Sequence, residues 1–143
     1  MSTERIIVHR RVAESFRNIL VEKAREAFGA SLPIPTLVSA ASRDRIQALV
    51  FDALQKRANK LFAPRENEGQ NDSQMQPIIL ENVSSDSDLY YTESFGPVVS
   101  LFVVDSEAEA IELANDTEYG LTAAVYTDSL AKGLKVAGQI QSG

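Results

Sequence analysis

Cysteine is absent from the 143 residues. That removes disulfides, thiolate nucleophiles and zinc–thiolate sites together. Histidine occurs once, a poor basis for a serine–histidine system, and no G-x-S-x-G elbow accompanies it. Neither G-x-G-x-x-G nor a P-loop is present, so the chain carries no recognisable phosphate cradle. Asp86, Asp88 and Glu93 lack the glycine and terminal acid at the offsets an EF-hand needs, and read as a solvated acidic loop. No metal site and no catalytic residue are assigned. No apolar run approaches the roughly 18 residues of a membrane span, and Met1 is followed by polar "STER" rather than a signal-peptide core. A soluble, cytoplasmic protein is expected. Positive charge is in deficit, 14 Lys and Arg against 20 Asp and Glu, for a net charge of −6. A phosphate backbone repels such a surface, which argues against nucleic-acid binding. The one basic cluster, His9-Arg10-Arg11, reads as a solvated join between two elements, and His9 as a surface histidine.

What is present is the patterning of one α/β domain over 1–143. Residues 5–10 form a β-branched run bounded by charge, as a strand should. Val12, Phe16, Ile19, Leu20, Ala24, Ala27 and Phe28 then recur at helical spacing, with Gly29 as the stop. Residues 30–38 carry two prolines and must run extended. Ser42 is placed as the N-cap of a second helix whose stripe is Ile46, Leu49, Val50, Ala53 and Leu54. Extended structure resumes at 59–64. Residues 65–76, "RENEGQNDSQMQ", have no apolar period and read as a mobile surface loop. Strands are expected at 77–83, 98–104 and 121–127. Val98 to Val104 is continuously apolar apart from Ser100, as in a strand covered on both faces. Ser106 to Glu109 has capping-box spacing before a short helix. Asp128 is placed as the cap of a last helix burying Leu130, Leu134, Ala137 and Ile140, with Gly143 past its end. Alternating strands and helices imply a mostly parallel sheet with helices packed on it.

One stretch asks for more than folding. Glu93-Ser94-Phe95-Gly96-Pro97 leads into the strand at 98. One reading leaves Glu93 exposed, fills core with Phe95 and turns the chain with Gly96-Pro97. The other uses the strand-end position, where ligands of open α/β sheets bind. A carboxylate there accepts hydrogen bonds from vicinal sugar hydroxyls, and an aromatic two positions on lies against a flat heterocycle. Gly96 permits close backbone approach and Pro97 holds the loop still.

These residues carry a resemblance. The segment from Glu93 to Val98, E-x-F-G-P-V, is followed by A-I-x-x-A-N-x-T-x-Y-G-L-x-A over Ala110 to Ala123. That pair, at that separation, resembles the aldehyde dehydrogenase superfamily, and the likeness extends over nearly the whole chain. "MSTERIIV" and "YYTESFGPVVS" are similar to its salicylaldehyde and vanillin dehydrogenase branch. The join at "GASLPIPTLVSAASRDRI" is shorter than the usual family form. The resemblance implies part of a catalytic domain that oxidises an aldehyde to a carboxylic acid with NAD or NADP. In that chemistry a cysteine thiolate forms a thiohemiacetal, hydride passes to nicotinamide, and glutamate-activated water hydrolyses the thioester. It implies that Glu93 holds the nicotinamide ribose hydroxyls and that Phe95 packs beside the nicotinamide. Asn115 and Thr117 are expected to satisfy loop backbone and Gly120 to end a turn.

The nucleophile of that family falls just before a "MSTERI"-like segment, and its general base, oxyanion-binding asparagine and cofactor domain lie earlier still. The expectation is therefore a fragment of the enzyme, inactive alone, with exposed apolar surface that drives self-association or homo-oligomer formation. Its small-molecule partners would be an aldehyde and a dinucleotide. The rival expectation is a non-catalytic α/β module retained for interaction or regulation.

Overall fold

The computed structural model describes residues 3–28, 33–63 and 72–142. Gly29, Gly143 and positions 65–71 of the polar stretch lie outside the described residues. Strand β1 (Arg5–His9) runs directly into helix α1 (Arg10–Phe28). Arg10 and Arg11 are therefore helical, and the expected loop at the basic cluster is corrected. The His9 ring takes part in this junction, its Nδ1 accepting from the Arg11 N–H at 3.2 Å. After an extended segment come α2 (Ala40–Gln55), β2 (Asn59–Phe62) and β3 (Ile78–Glu81). The short α3 (Asp88–Tyr91), β4 (Val98–Val104), α4 (Glu107–Asn115) and α5 (Leu130–Ala137) follow.

The four strands form one sheet in the order β1-β4-β3-β2. β4 is parallel to β1, with Arg5 opposite Ser100, and parallel to β3, with Ile78 opposite Val98. β2 joins β3 antiparallel. The mostly parallel α/β sheet expected from the alternation of elements is the fold observed.

Successive side chains of a strand point to opposite faces, and both faces of β4 are covered. Leu101 packs with Val8 and Ala13, with Val103 beside them, while Val99 lies against Ala24, Phe62 and Ile79. Val98 joins the other layer, with Ile46, Leu49, Val50 and Ala53 of α2, Leu80 of β3 and Leu89 of α3. Met75 belongs to that layer too. Its N–H donates to the Pro35 carbonyl at 3.0 Å, and the Leu37 N–H to Ser73 at 2.8 Å. The last residues of the polar stretch are thus docked against the extended 33–39 segment.

Helix α2 starts earlier than expected. Ser39 is its N-cap, and its side chain accepts from the Ser42 N–H at 3.1 Å. Ala40 and Ala41 have the highest helix propensity of any residue type, so the helix extends back through them to the previous serine. At its other end Arg57 adopts φ 76°. There Arg57 N–H reaches Leu54 O at 3.3 Å and Ala58 N–H reaches Ala53 O at 3.0 Å, the bond pair of a Schellman ending. Ser106 caps α4 as its spacing predicts, accepting from Glu109 N–H at 3.1 Å. The Glu109 carboxylate returns to the Asp105 N–H at 2.7 Å.

The C-terminal third departs from expectation. Residues 121–127 form no strand, and Leu121 and Tyr126 are exposed. A strand needs a neighbour for its backbone groups, and no described strand lies alongside. Helix α5 is capped by Ser129 rather than Asp128. Leu130 and Leu134 stay exposed, and no α5 residue is buried. On α1, Val12, Phe16, Ile19 and Phe28 face outward, whereas Ala13 and Ala24 are buried. Asn115 performs the backbone role expected of it. Its side chain donates to Gln139 O at 2.9 Å and accepts from Gln141 N–H at 2.8 Å. Thr117 accepts from Tyr119 N–H at 3.2 Å. A Cβ on Gly120 would stand 3.1 Å from the Gln141 carbonyl, so its role is close approach to that segment.

Tyr90 ties α3 to the sheet and to α4. The Arg5 guanidinium lies 4.7 Å from its ring centroid, and the Tyr90 hydroxyl donates to Asp116 Oδ2 at 2.8 Å. Burial first, and the Asp116 bond second, push the phenol up to about 12. Folding thus favours the neutral phenol. Its contribution is intact below about pH 10 and is lost as pH rises from about 10 to about 12. Urea titrations across that range should show Tyr90→Phe losing stability less steeply with pH than the parent. Parallel pH slopes for the two proteins would refute the coupling.

Candidate functional site

Glu93 to Pro97 immediately precedes β4, so the loop sits at a strand end, as expected. It is the amino end of β4, and, the strands being parallel, it lies beside the amino ends of β1 and β3. Ligand crevices of open α/β sheets lie instead outside the carboxyl ends, so the strand-end argument made from the sequence does not hold for this loop. The carboxyl ends here open on a broad surface depression lined by Arg10, Arg17, Asn82, Tyr90, Glu109 and Asp116, which neither Glu93 nor Phe95 borders.

The loop is held from several sides. Arg45 of α2 donates to the carbonyls of Glu93, at 3.4 Å, and Ser94. Opposite Arg45's carbonyl contacts, the Glu4 carboxylate accepts from Ser94 N–H at 2.9 Å, from Ser94 Oγ at 3.0 Å and from Phe95 N–H at 3.0 Å. Ser94 is 1% exposed, and its Oγ also accepts from Gly96 N–H at 3.2 Å. The Pro97 carbonyl accepts from Ile78 N–H at 2.8 Å and anchors the loop to β3. Gly96 lies on Ile46, whose Cδ1 would be 2.3 Å from any Cβ placed there. That is the close backbone approach expected of this glycine, made to α2.

Upstream, α3 is also fixed. Asp52 Oδ2 accepts from Asp88 N–H at 2.8 Å, and Lys56 Nζ donates to Asp86 O at 2.6 Å. The Lys56 ammonium, then the Asp88 N–H, hold the Asp52 carboxyl below its ordinary range. The chain therefore enters Glu93 from a tethered helix.

Against this frame Phe95 faces outward, and Glu93 is half-buried. Phe95 is 78% exposed, with backbone φ 49°. The reading in which it fills core is corrected. The left-handed turn at Phe95, forced by hydrogen bonds on both neighbouring peptides, throws the ring outward. The Glu93 carboxylate has no hydrogen-bond or ion-pair partner among the described residues. An unpaired acceptor and an accessible aromatic face two positions apart suit a ligand with vicinal hydroxyls and a planar ring. No group of three His, Cys, Asp or Glu side chains suited to a metal occurs among the described residues. None of their helices is long and apolar enough to cross a membrane.

Glu4, Ser94 and Arg45 were not singled out by sequence reasoning. Glu4 and Arg45 are 90 and 49 positions from Ser94, and no local pattern links them to it.

Comparison with known proteins gives the family. The aldehyde dehydrogenase family model matches residues 1–143, and the chain belongs to that family. It is 36% identical to vanillin dehydrogenase of a Pseudomonas species, over 100% of this chain and 30% of that protein. Among solved structures it superposes on succinic semialdehyde dehydrogenase from Streptococcus pyogenes, in complex with NADP+, with a TM-score of 0.86 and 27% identity. That match covers 98% of this chain and 32% of the other. It also superposes on a salicylaldehyde dehydrogenase from Pseudomonas putida complexed with salicylaldehyde, with a TM-score of 0.82 and 32% identity, covering 98% and 29%. The chain spans about 30% of the length of the curated relatives it matches.

Proposed function

We propose that this chain forms the nicotinamide-side edge of the coenzyme site in an NAD- or NADP-dependent aldehyde dehydrogenase that oxidises an aldehyde to a carboxylic acid. The observation that carries the reading is the pairing of an unpartnered Glu93 carboxylate with an exposed Phe95 ring on one tethered loop. Glu93 accepts hydrogen bonds from the vicinal hydroxyls of the nicotinamide ribose, and Phe95 lies beside the nicotinamide. Arg45, Ser94 and Glu4 fix the loop, so little ordering remains to be done on binding. The bound dinucleotide supplies the hydride acceptor. NADP+ in the succinic semialdehyde dehydrogenase neighbour and the vanillin and salicylaldehyde dehydrogenase relatives support the coenzyme class and an aromatic aldehyde as substrate. The reading includes association with a further copy or segment through the apolar side chains of α1 and α5, such as Phe16 and Leu134.

The 143 residues hold no thiolate, so alone they give no turnover of an aldehyde with NAD or NADP. The test is a chimera in which they replace the matching 30% of the Pseudomonas vanillin dehydrogenase. Hydrogen bonds to a charged group contribute about 1.5–3 kcal/mol, so Glu93→Gln should raise the dinucleotide KM about 10- to 100-fold. A KM within about twofold of the parent chimera would overturn the reading and favour a non-catalytic interaction module.

A further inference from the structure

We propose that Glu4 is a positioning residue, one that sets the backbone of the coenzyme-facing loop and through it the aim of Glu93 and Phe95. The inference rests on the function proposed above for those two residues.

The Glu4 carboxylate spends both oxygens on the loop. Oε2 accepts from Ser94 N–H at 2.9 Å, and Oε1 accepts from Phe95 N–H at 3.0 Å and Ser94 Oγ at 3.0 Å. Consecutive backbone N–H groups converging on one anion form the concavity that elsewhere binds ligand anions. Here a side chain of the same protein fills it. Glu4 is itself fixed, since its carbonyl accepts from Ser100 N–H at 2.8 Å and extends the pairing of β1 with β4. The carboxylate is thus a strut from the sheet to a loop 90 positions away in sequence.

The loop requires such a strut. Phe95 sits at φ 49°, a region non-glycine residues occupy only at a penalty and mostly where surrounding contacts impose it. The bond from Phe95 N–H to Glu4 is made in that conformation. Without it the Phe95 peptide loses its anchor at the N–H end, and the positive-φ turn that aims the ring is held less firmly. Arg45 grips the same two peptides from their carbonyl ends, at Glu93 and Ser94, while Glu4 grips them from their N–H ends.

Glu4→Gln tests this in two arms, since the amide keeps the shape and loses acceptor capacity on one side. In the first, hydrogen exchange is followed on the 143-residue chain without dinucleotide. The Ser94 and Phe95 amides should exchange about tenfold faster, while those of Ser100 and Leu101 in β4 stay as in the parent. Unchanged exchange at 94 and 95 overturns the proposal. Should Glu4→Gln unfold the chain, Ser94→Ala leaves Glu4 in place and should still speed exchange at Phe95 about threefold; no change there overturns it equally. In the second arm, the vanillin dehydrogenase chimera carrying Glu4→Gln should show a dinucleotide KM raised about tenfold, with a smaller effect on kcat. If Glu93→Gln raises KM and Glu4→Gln does not, the positioning role is wrong. If Glu4→Gln speeds exchange and Glu93→Gln leaves KM unchanged, the strut stands and the coenzyme reading fails.

Discussion

Truncating Leu80 to alanine is expected to destabilise the protein by about 2–5 kcal/mol. Leu80 is 0% exposed and lies in β3, opposite Ser100 of β4 and Lys60 of β2. It packs in the layer between sheet and α2 that also holds Ile46, Val50, Ala53 and Val98. Removing three carbons leaves a void that cannot collapse from the β4 side, because β4 is hydrogen-bonded on both edges and covered on both faces. A penalty near the upper end of that range is therefore expected. The measurement is the urea midpoint at constant m-value. A loss below about 1 kcal/mol would mean that the layer repacks freely and that the sheet is not the rigid platform of the loop.

The second large effect is a coupling between the loop and α2. Gly96→Ala puts a Cβ 2.3 Å from Ile46 Cδ1, and Ile46 is 0% exposed, with no open space to swing into. Overpacking of this kind costs about 1–3 kcal/mol. Ile46→Ala alone creates a cavity and costs about 2–5 kcal/mol. Together they should cost less than their sum, because the truncated Ile46 makes room for the new methyl. Interaction energies between touching residues run about 0.5–3 kcal/mol, and this pair should fall in the upper half. Strict additivity would show that Gly96 does not rest on Ile46. The cycle bears on function because Gly96 follows Phe95 directly: a loop lifted off α2 carries the Phe95 ring with it.

The parts of the fold that were legible in the sequence are those whose signal is local. Helix α1 shows in its 3.6-residue recurrence, α2 in the spacing of Ile46, Leu49, Val50 and Ala53, and β4 in seven residues with one polar interruption. Four of the five stripe residues named for α2 are buried, and Leu54 is half-buried. On α1 and α5 the same kind of stripe marks a face without telling what covers it. Phe16, Ile19, Leu130 and Leu134 have the spacing of core residues and stay exposed. The segment 121–127 has strand-forming residues and no described strand beside it, since propensity does not supply a neighbour. Cap positions slipped by one to three residues, Ser39 for Ser42 and Ser129 for Asp128, because neighbouring polar residues compete for one role.

The candidate site divides in the same way. Glu93 and Phe95 stand in a five-residue run whose composition exceeds what a turn requires. The ring is exposed and the carboxylate unpaired among the described residues, but the loop stands at the amino end of β4 rather than at the strand end that the sequence argument invoked. The side chains that hold them, Glu4 and Arg45, come from β1's entry and from α2 and meet the loop only once the sheet is assembled. A long-range hydrogen bond leaves no periodicity in sequence, so that half of the site required coordinates.

The proposed function requires that the Glu93 carboxylate and the Phe95 ring face a bound dinucleotide. The most direct measurement is a crystal structure of the vanillin dehydrogenase chimera with NAD or NADP bound. The ribose hydroxyls next to nicotinamide should lie within about 2.6–3.2 Å of the Glu93 carboxylate oxygens, with the Phe95 ring against the nicotinamide and Phe95 still at positive φ. A dinucleotide bound with Glu93 turned to solvent and Phe95 packed elsewhere would contradict it.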